Sequence, residues 1–408
     1  MKRIIITGFF QKCTNGRFWA HSYCKEIAKS LIKLGVAVDI IDMSPIKEKI
    51  SLGANCSHKY IGDSFFLPWN NPKWDKKNSK FIFKSPGIIS YFKTIIGLIC
   101  TIYNFNKLIN SNNISLIIHY NGTTSIQRIL KYFILKRSIP QLNFQIGNIP
   151  GTVEFDSHGN QALSWPAHNS FKFSNLEINN NEKNEIRLYL ETVKSRLDIS
   201  KNNQSLKKII DYKEIKNKTI LFLVGSGEYG SGIWPRFYPE SFMHSPFYKN
   251  DLEVLPELLE IASRNNWYIL FKPHPDNPTH KIKPHPKLIY INDNNINIID
   301  CIVESNLILT LVSSVSGLSL LYKKPVVLLG RNGLTGMKLA SELKQKEELE
   351  VLIKTTLEKG FAKETYENWL SYATRIVKYY SFFDSDNHSA CFNRGYETTC
   401  NFILNSSI

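Results

Sequence analysis

The apolar positions of this 408-residue chain fall into short continuous runs separated by stretches with helical spacing. Arg3 to Gly8 is a β-rich run ending in glycine. Tyr23, Ile27, Ala28, Leu31 and Leu34 then recur at helical intervals up to Gly35, and Ala37 to Ile41 is apolar again. Strand, loop, helix, strand opens a parallel α/β sheet, whose strands are buried on both faces and so read as continuous rather than alternating runs. The pattern returns in Ile114 to His119, Ser125 to Leu135 and Gln141 to Gln145. After a polar, lysine-rich stretch from Leu197 to Lys218, a fresh strand is predicted over Thr219 to Val224. A helix from Leu252 to Asn265, strands Trp267 to Phe271 and Leu288 to Ile291, a helix Ile296 to Glu304, and strands Leu307 to Val312 and Val326 to Leu329 follow. This spacing predicts an α/β protein of two Rossmann-like domains facing across a cleft. Residues 1–200 would form the first domain and 217–360 the second. Residues 361–408 would form a terminal helical segment that packs back on the first domain.

Composition narrows the class. With 43% apolar and 21% charged residues and no low-complexity tract, the chain can furnish two globular cores. The formal charge of +16 favours phosphates, anionic headgroups or acidic polymers as partners. The basic residues are dispersed, without zinc-finger, RNP or basic-zipper spacing, so nucleic acid is not expected. Seven cysteines, an odd number with no Cys-x-x-Cys pair, fit a reducing compartment, and the short apolar start is unlike a signal peptide; a cytoplasmic location follows as the expectation. Gly87 to Phe105 is the longest apolar region, interrupted by Lys93 and too short to span a bilayer. It reads either as a core helix or, with Lys84, Lys93 and Lys107, as a helix lying on an anionic membrane surface.

Candidate chemistry gathers at the ends of strands. Gly225-Ser226-Gly227-Glu228-Tyr229-Gly230 matches G-x-G-x-x-G after a strand, but Pro235 and Pro239 postpone any long helix to about Leu252. A dinucleotide fingerprint needs the helix at once, so the segment is read as a Gly-rich loop whose backbone N–H groups suit a phosphate. Lys-Pro-His-Pro occurs twice. The copy at Lys272 to Pro275 leaves a strand, where ligands of parallel sheets sit, and Lys272 and His274 offer positive charge and an imidazole there. The copy at Lys283 to Pro286 enters a strand and reads as a turn. Ser313-Ser314 follows the strand ending at Val312 and opens a helix, either as a phosphate ligand or as an ordinary cap. On the first domain, Gly8, Asn15 and Gly16, and also His119-Tyr120-Asn121-Gly122, lie after strands in positions suited to an acceptor or to simple turns. Glu154 and Asp156 alternate with Phe155, so on a strand they share a face, and His158 follows. Any of the three could serve as an acid/base group or belong to a polar loop. No His-x-x-x-His on a helix and no Asp-x-Asp at a strand end appears; neither a metal nor another cofactor is expected.

Lys272-Pro273-His274-Pro275, the Ser313-Ser314 pair some forty residues on, and Tyr322-Lys323-Lys324-Pro325-Val326-Val327 resemble the C-terminal half of bacterial capsular polysaccharide glycosyltransferases. The β-Kdo transferases belong to that group, and the His-Pro and Ser-Ser motifs are shared with bacterial sialyltransferases. Gly147-Asn148-Ile149-Pro150-Gly151-Thr152 and Glu154 to Asn160 are similar to a segment of capsule-biosynthesis proteins. The resemblance covers about half of the chain. It implies a metal-independent GT-B transferase in which Lys272, His274, Ser313, Ser314 and the loop Gly225, Ser226, Gly227 bind the nucleotide and phosphate of a sugar donor such as CMP-Kdo. Gly8, Asn15, Gly16 and His158 would face a glycan or lipid-linked acceptor, with Asp156 or Glu154 as base. Peripheral contact with the inner membrane and with other capsule-assembly proteins would follow. In the family an acidic residue stands just before the first glycine, where this chain has Gln145-Ile146, so the acidic-acidic-glycine motif is absent and the base stays open. A nucleotide-sugar 2-epimerase on the same architecture and a non-catalytic polysaccharide-assembly protein are the alternatives.

Overall fold

The structure, a computed structural model, describes residues 2–8, 19–42, 56–60, 72–75, 80–83, most of 96–110, 113–199 except 124, 217–274 except 229, 234, 235, 237 and 238, 282–292, 296–384 and 394–406, with 206, 215 and 392 singly. The chain forms two compact units, one of Met1–Ile146, Gly151–Asn160 and Tyr380–Ile408, the other of Gly147–Pro150 and Gln161–Tyr379.

The first unit is built on a seven-stranded sheet. Its strands are β1 (Arg3–Gly8), β2 (Ala37–Asp42), β3 (Cys56–Tyr60), β6 (Ile114–Tyr120), β7 (Gln141–Ile146), β8 (Thr152–Asp156) and β15 (Ser381–Phe383), in the order β15-β8-β7-β6-β1-β2-β3. A separate antiparallel pair, β4 (Pro72–Asp75) and β5 (Lys80–Phe83), precedes β6. Strands β1, β2, β3, β6 and β7 run parallel; at one edge β8 runs against them, and β15, antiparallel to β8, returns to their direction. The runs Ile4 to Ile6 and Leu116 to Ile118 are continuous because both of their faces are buried. On one face Ile4, Ile6, Leu116 and Ile118 meet Tyr23, Ile27 and Leu31 of α1 (Trp19–Lys33) and Cys400 and Ile403 of the terminal helix. On the other, Ile5 and Ile117 meet Leu130 and Ile134 of α2 (Ser125–Leu135) together with Phe105 and Ile109.

The second unit carries a six-stranded, all-parallel sheet of β9 (Ile220–Val224), β10 (Tyr268–Lys272), β11 (Leu288–Tyr290), β12 (Leu307–Thr310), β13 (Val326–Leu328) and β14 (Ser341–Glu342). Its order, β11-β10-β9-β12-β13-β14, is the doubly wound 3-2-1-4-5-6 when counted within the unit. Both units are thus Rossmann-like α/β folds, as the sequence pattern predicts. Between the strands lie α3 (Asn180–Ile199, ahead of β9), α4 (Asp251–Asn265), α5 (Ile298–Glu304) and α6 (Val315–Leu321), followed by α7 (Leu349–Lys359) and α8 (Lys363–Arg375). Helix α4 begins where it does because Asn250 caps it, its side chain accepting from Glu253 N at 2.9 Å, and it ends at Asn266 in the left-handed conformation. It lays Leu255, Leu258 and Ile261 on Leu221, Ile269 and Phe271 of the sheet. Each such fully buried Leu, Ile or Phe is worth about 1.5–3 kcal/mol.

Residues 161–199, expected with the first domain, fold with the second unit because α3 packs along α8, with Arg187 and Glu367 paired at 3.7 Å. The terminal segment expected from 361 to 408 divides: α8 stays with the second unit, while β15 extends the first sheet. Helix α9 (Tyr396–Asn405) then packs on α1, the rings of Tyr23 and Tyr396 lying 5.5 Å apart.

Candidate functional site

In a doubly wound sheet the strand order reverses beside the first strand, and the crevice there, at the C-terminal ends, takes the ligand. In the second unit that point lies between β9 and β12. Gly225 follows β9 and donates its N–H to Lys272 O at 2.9 Å, packing so tightly that a Cβ would strike the backbone of Pro273 and His274. Gly227 lies beneath the His274 imidazole; a Cβ there would sit 3.2 Å from Cε1 and Nε2. Ser226 is fully buried between them and ties three elements together. Its N–H donates to Asp251 Oδ2 at 2.7 Å, at the start of α4, and its Oγ accepts from Val312 N at 3.3 Å, just past β12. No long helix follows the glycines until Asp251, so the loop lacks the dinucleotide fingerprint geometry. Asp251 is 2% exposed, and burial pushes its carboxyl up to about 7 against the pull of the Ser226 hydrogen bonds. Burial, with Asp251 nearby, pushes Glu228 up to about 8.

The neighbouring strand ends complete the edge. Lys272 closes β10, with its ammonium close enough to the buried Cys301 of α5 to oppose the burial that raises that thiol to about 12. Pro275 lies outside the described residues. After β12, Ser313 and Ser314 divide the work of starting α6. Ser313 Oγ accepts from Val315 N at 3.3 Å and so acts as the cap, whereas Ser314 occupies the N-cap position without a side-chain capping bond. Ser314 is half-buried, and its hydroxyl is not used by the helix it precedes. Buried Asn332 holds the turn from beyond β13, its Nδ2 donating to Ser316 Oγ at 3.0 Å and Ser313 O at 3.3 Å. Asn148 enters from the 147–150 loop; its carbonyl lies against Gly317 and its amide against Gly333, where a Cβ on either glycine would clash.

On the first unit, strand register lines up a polar row across four strands: Thr7, His119, Asn143 and Asp156. All four are buried. Thr7 Oγ1 meets His119 Nδ1 at 2.9 Å, and burial, reinforced by Lys131, holds His119 well below the usual histidine range, hence neutral. Gly8, also buried, ends β1 beside this row. Glu154 accepts from Gln145 Nε2 at 2.9 Å, and Asp156, on the same strand face, accepts from Tyr380 Oη at 2.6 Å and His158 N at 2.6 Å. His158 is exposed at the turn that follows. Asn15 and Gly16 lie outside the described residues. Nothing local in the sequence gives Asp251, Asn332 or Tyr380 a place at a site, whereas Asn148 lies inside the Gly-Asn-Ile-Pro-Gly segment.

The second Lys-Pro-His-Pro is a turn at the opposite, N-terminal edge of the sheet. His285 Nδ1 accepts from Lys287 N at 3.1 Å and its carbonyl accepts from Leu288 N at 2.9 Å as β11 begins. It lines a largely apolar hollow of about 760 Å³ against Leu255 and Leu259 of α4. Another hollow, of about 600 Å³, opens at the same edge, lined by Thr219, Asn306 and Lys324 among others. Lys324 there donates to the carbonyls of Val303 and Ser305 at 2.7 Å each, so its charge is turned inward. Neither hollow touches the switch-point residues. Among the described residues no cluster of three His, Cys, Asp or Glu could hold a metal ion.

No family model matches the sequence, and no curated protein matches it. Solved structures do resemble it at low identity. The Methanocaldococcus jannaschii UDP-GlcNAc 2-epimerase, in complex with UDP-GlcNAc and UDP, is 14% identical over 90% of this chain and 98% of its own, with a TM-score of 0.39. The Thermosulfurimonas dismutans KpsC β-Kdo 2,4-transferase is 15% identical over 71% of this chain and 87% of its own, at 0.46. The KpsC β-Kdo 2,7-transferase of the same organism is 17% identical, covering 74% of this chain and 89% of its own with a TM-score of 0.45, so the chain is similar in trace to β-Kdo transferases and to 2-epimerases alike.

Proposed function

We propose that the protein is a metal-independent glycosyltransferase of capsule or surface polysaccharide synthesis. It would take a nucleotide-activated sugar on its second unit and move the sugar to a glycan or lipid-linked acceptor. The observation that carries this reading is the convergence of three loops at one switch point. The Gly225–Gly227 backbone, Lys272 with His274, and Ser313 with Ser314 come off β9, β10 and β12, which are adjacent. The N–H groups of Gly225 and Ser226 are spent on Lys272 O and Asp251 Oδ2 and shape the loop, so the Gly227 N–H, an ammonium, an imidazole and a hydroxyl outside the cap make up the donor set for a phosphate leaving with negative charge. The sequence motifs favour CMP-Kdo as the donor. Gly8, Asn15, Gly16 and His158 are the acceptor-side residues in this reading, and Asp156, Glu154 and His158 the groups for acid/base work.

Thermal midpoints measured with CMP, UDP, GDP and CDP test the donor class, because a ligand at one hundred times its Kd adds about 2.7 kcal/mol to stability. CMP is expected to give the largest rise. Four flat curves would sink the nucleotide-sugar reading, and an epimerised sugar nucleotide formed from donor alone would replace transfer with 2-epimerisation.

A peripheral site at the cytoplasmic face of the inner membrane fits the helical residues between 96 and 110. Phe105 and Ile109 face the core, while Ile96, Ile99 and Tyr103, 60%, 60% and 67% exposed, recur at three and four residues and so share the outer face. Exposed Lys107 and the α2 residues Tyr132, Leu135 and Lys136 add basic and apolar surface. No helix among the described residues is long and apolar enough to cross a membrane. Sedimentation with phosphatidylserine vesicles is expected to pull down the wild type at low salt, and the double change Ile96→Asp, Ile99→Asp to weaken binding by roughly tenfold or more. Equal binding by the double variant removes this surface from the proposal.

A further inference from the structure

Asp156 directs both carboxylate oxygens at its own protein. Oδ2 accepts from Tyr380 Oη at 2.6 Å. Oδ1 accepts from His158 N at 2.6 Å and Gly159 N at 3.4 Å, and it lies 3.2 Å from His158 Nδ1. The backbone beneath is fixed as well, since Asn143 Nδ2 donates to Asp156 O at 3.2 Å. With its side chain 3% exposed, this carboxylate is a poor candidate to reach an acceptor hydroxyl. His158 is the reverse. Its side chain is 55% exposed, Nδ1 is turned inward to Asp156 and Ser157 Oγ, and no described residue bonds Nε2. A buried carboxylate accepting from Nδ1–H fixes the tautomer that leaves the lone pair on Nε2, the arrangement that turns an imidazole into an oriented proton acceptor.

We propose, resting on the transferase reading, that His158 is the catalytic base and that Asp156 and Tyr380 are positioning residues that act through it. In the step, the acceptor O–H bond breaks and its proton goes to His158 Nε2. The oxygen's electron pair forms the new bond to the anomeric carbon as the bond from that carbon to the donor phosphate breaks, its electron pair leaving on the phosphate oxygen. The imidazolium then releases its proton to water.

The test uses the full chain with CMP-Kdo, UDP-N-acetylglucosamine and UDP-glucose as donors and the methyl glycosides of Kdo and glucose as acceptors. His158→Ala is expected to keep the wild-type thermal midpoint, because the side chain is exposed. Its kcat should fall about 10²–10⁴-fold, the range for a lost general base, with the donor KM unchanged and partial rescue by free imidazole. Asp156→Asn is expected to lower kcat in the wild-type background and to add nothing in the His158→Ala background, since a residue acting through another shows no effect once that one is gone. Tyr380→Phe should give a smaller loss of the same kind. Unimpaired transfer by His158→Ala, or an Asp156→Asn loss of equal size in both backgrounds, overturns the assignment while leaving the transferase reading standing. A wild-type chain whose midpoint rises with nucleotide, yet which forms no product with any donor and acceptor pair, overturns both.

Discussion

Replacing His274 by alanine is expected to abolish the proposed sugar transfer, whereas the same change at His285 is expected to leave the turnover number within about twofold of wild type. The two histidines have identical neighbours in sequence, so the contrast isolates position in the fold. His274 stands beyond the C-terminal end of β10 with its ring over Gly227, and the strand end beside it holds Gly225 N through Lys272 O at 2.9 Å. A donor aimed at a developing negative charge in such a place is worth about 10²–10³ in kcat, and removing the ring also uncovers the Gly-rich loop. His285 only shapes the entry to β11 by accepting from Lys287 N at 3.1 Å. Its loss costs about 1 kcal/mol, the net value of one hydrogen bond, and lowers the thermal midpoint by a few degrees without touching the chemistry. Measuring kcat with saturating donor beside the thermal midpoint separates the two effects. Equal loss of turnover in both variants would mean that the switch-point edge is not where the donor is held.

Much of this was legible in the sequence because parallel strands leave a blunt signature. Leu221 to Val224 and Leu307 to Leu309 are buried on both faces, and no alternation is needed to find them. Strand direction alone puts the two Lys-Pro-His-Pro copies at opposite edges of the sheet, one after β10 and the other before β11. Other features depend on distant partners. β15 is only Ser381 to Phe383, too short for a period, and it pairs antiparallel with a strand more than two hundred residues earlier. The Tyr380 bond to Asp156 comes with that pairing. Helix α3 buries Ile186, Leu190 and Val193 within an otherwise largely polar surface, so nothing local assigns it to the second unit; its packing on α8 does. The serine pair shows a finer limit. The pair reads as a cap or as a phosphate ligand, and the structure gives the cap to Ser313 and leaves the hydroxyl of Ser314 outside it. Asp251 reads as an ordinary acid in the first turn of a helix, which its position supports, and only the fold puts it beneath Ser226.

That last placement makes stability depend on pH in a definite direction. Raising the pH from 5 to 9 is expected to lower the thermal midpoint of the wild type, and Asp251→Asn to flatten about half of the fall. In the unfolded chain both Asp251 and Glu228 titrate near pH 4. In the folded protein burial raises Asp251 to about 7 and Glu228 to about 8, so between pH 4 and 8 the native state binds more protons than the unfolded state. Stability from these groups is therefore complete below about pH 4 and is lost as the pH climbs through the two folded values. Each tenfold difference in proton affinity is worth about 1.4 kcal/mol; water entry and relaxation of the loop take back a large share, leaving a fall of about 2–4 kcal/mol across the window. The amide of Asp251→Asn still accepts from Ser226 N, so the contact survives while the charge and its repulsion of Glu228 disappear. Urea midpoints at pH 5, 7 and 9 for wild type, Asp251→Asn and Glu228→Gln resolve the two contributions. A wild-type slope unchanged in both variants would place the titration elsewhere. A slope removed by either would show that the Gly-rich loop rests on carboxyl groups that keep their protons well above the usual carboxylate range. Because Ser226 joins that pair to the end of β12, nucleotide-induced stabilisation should weaken over the same pH range.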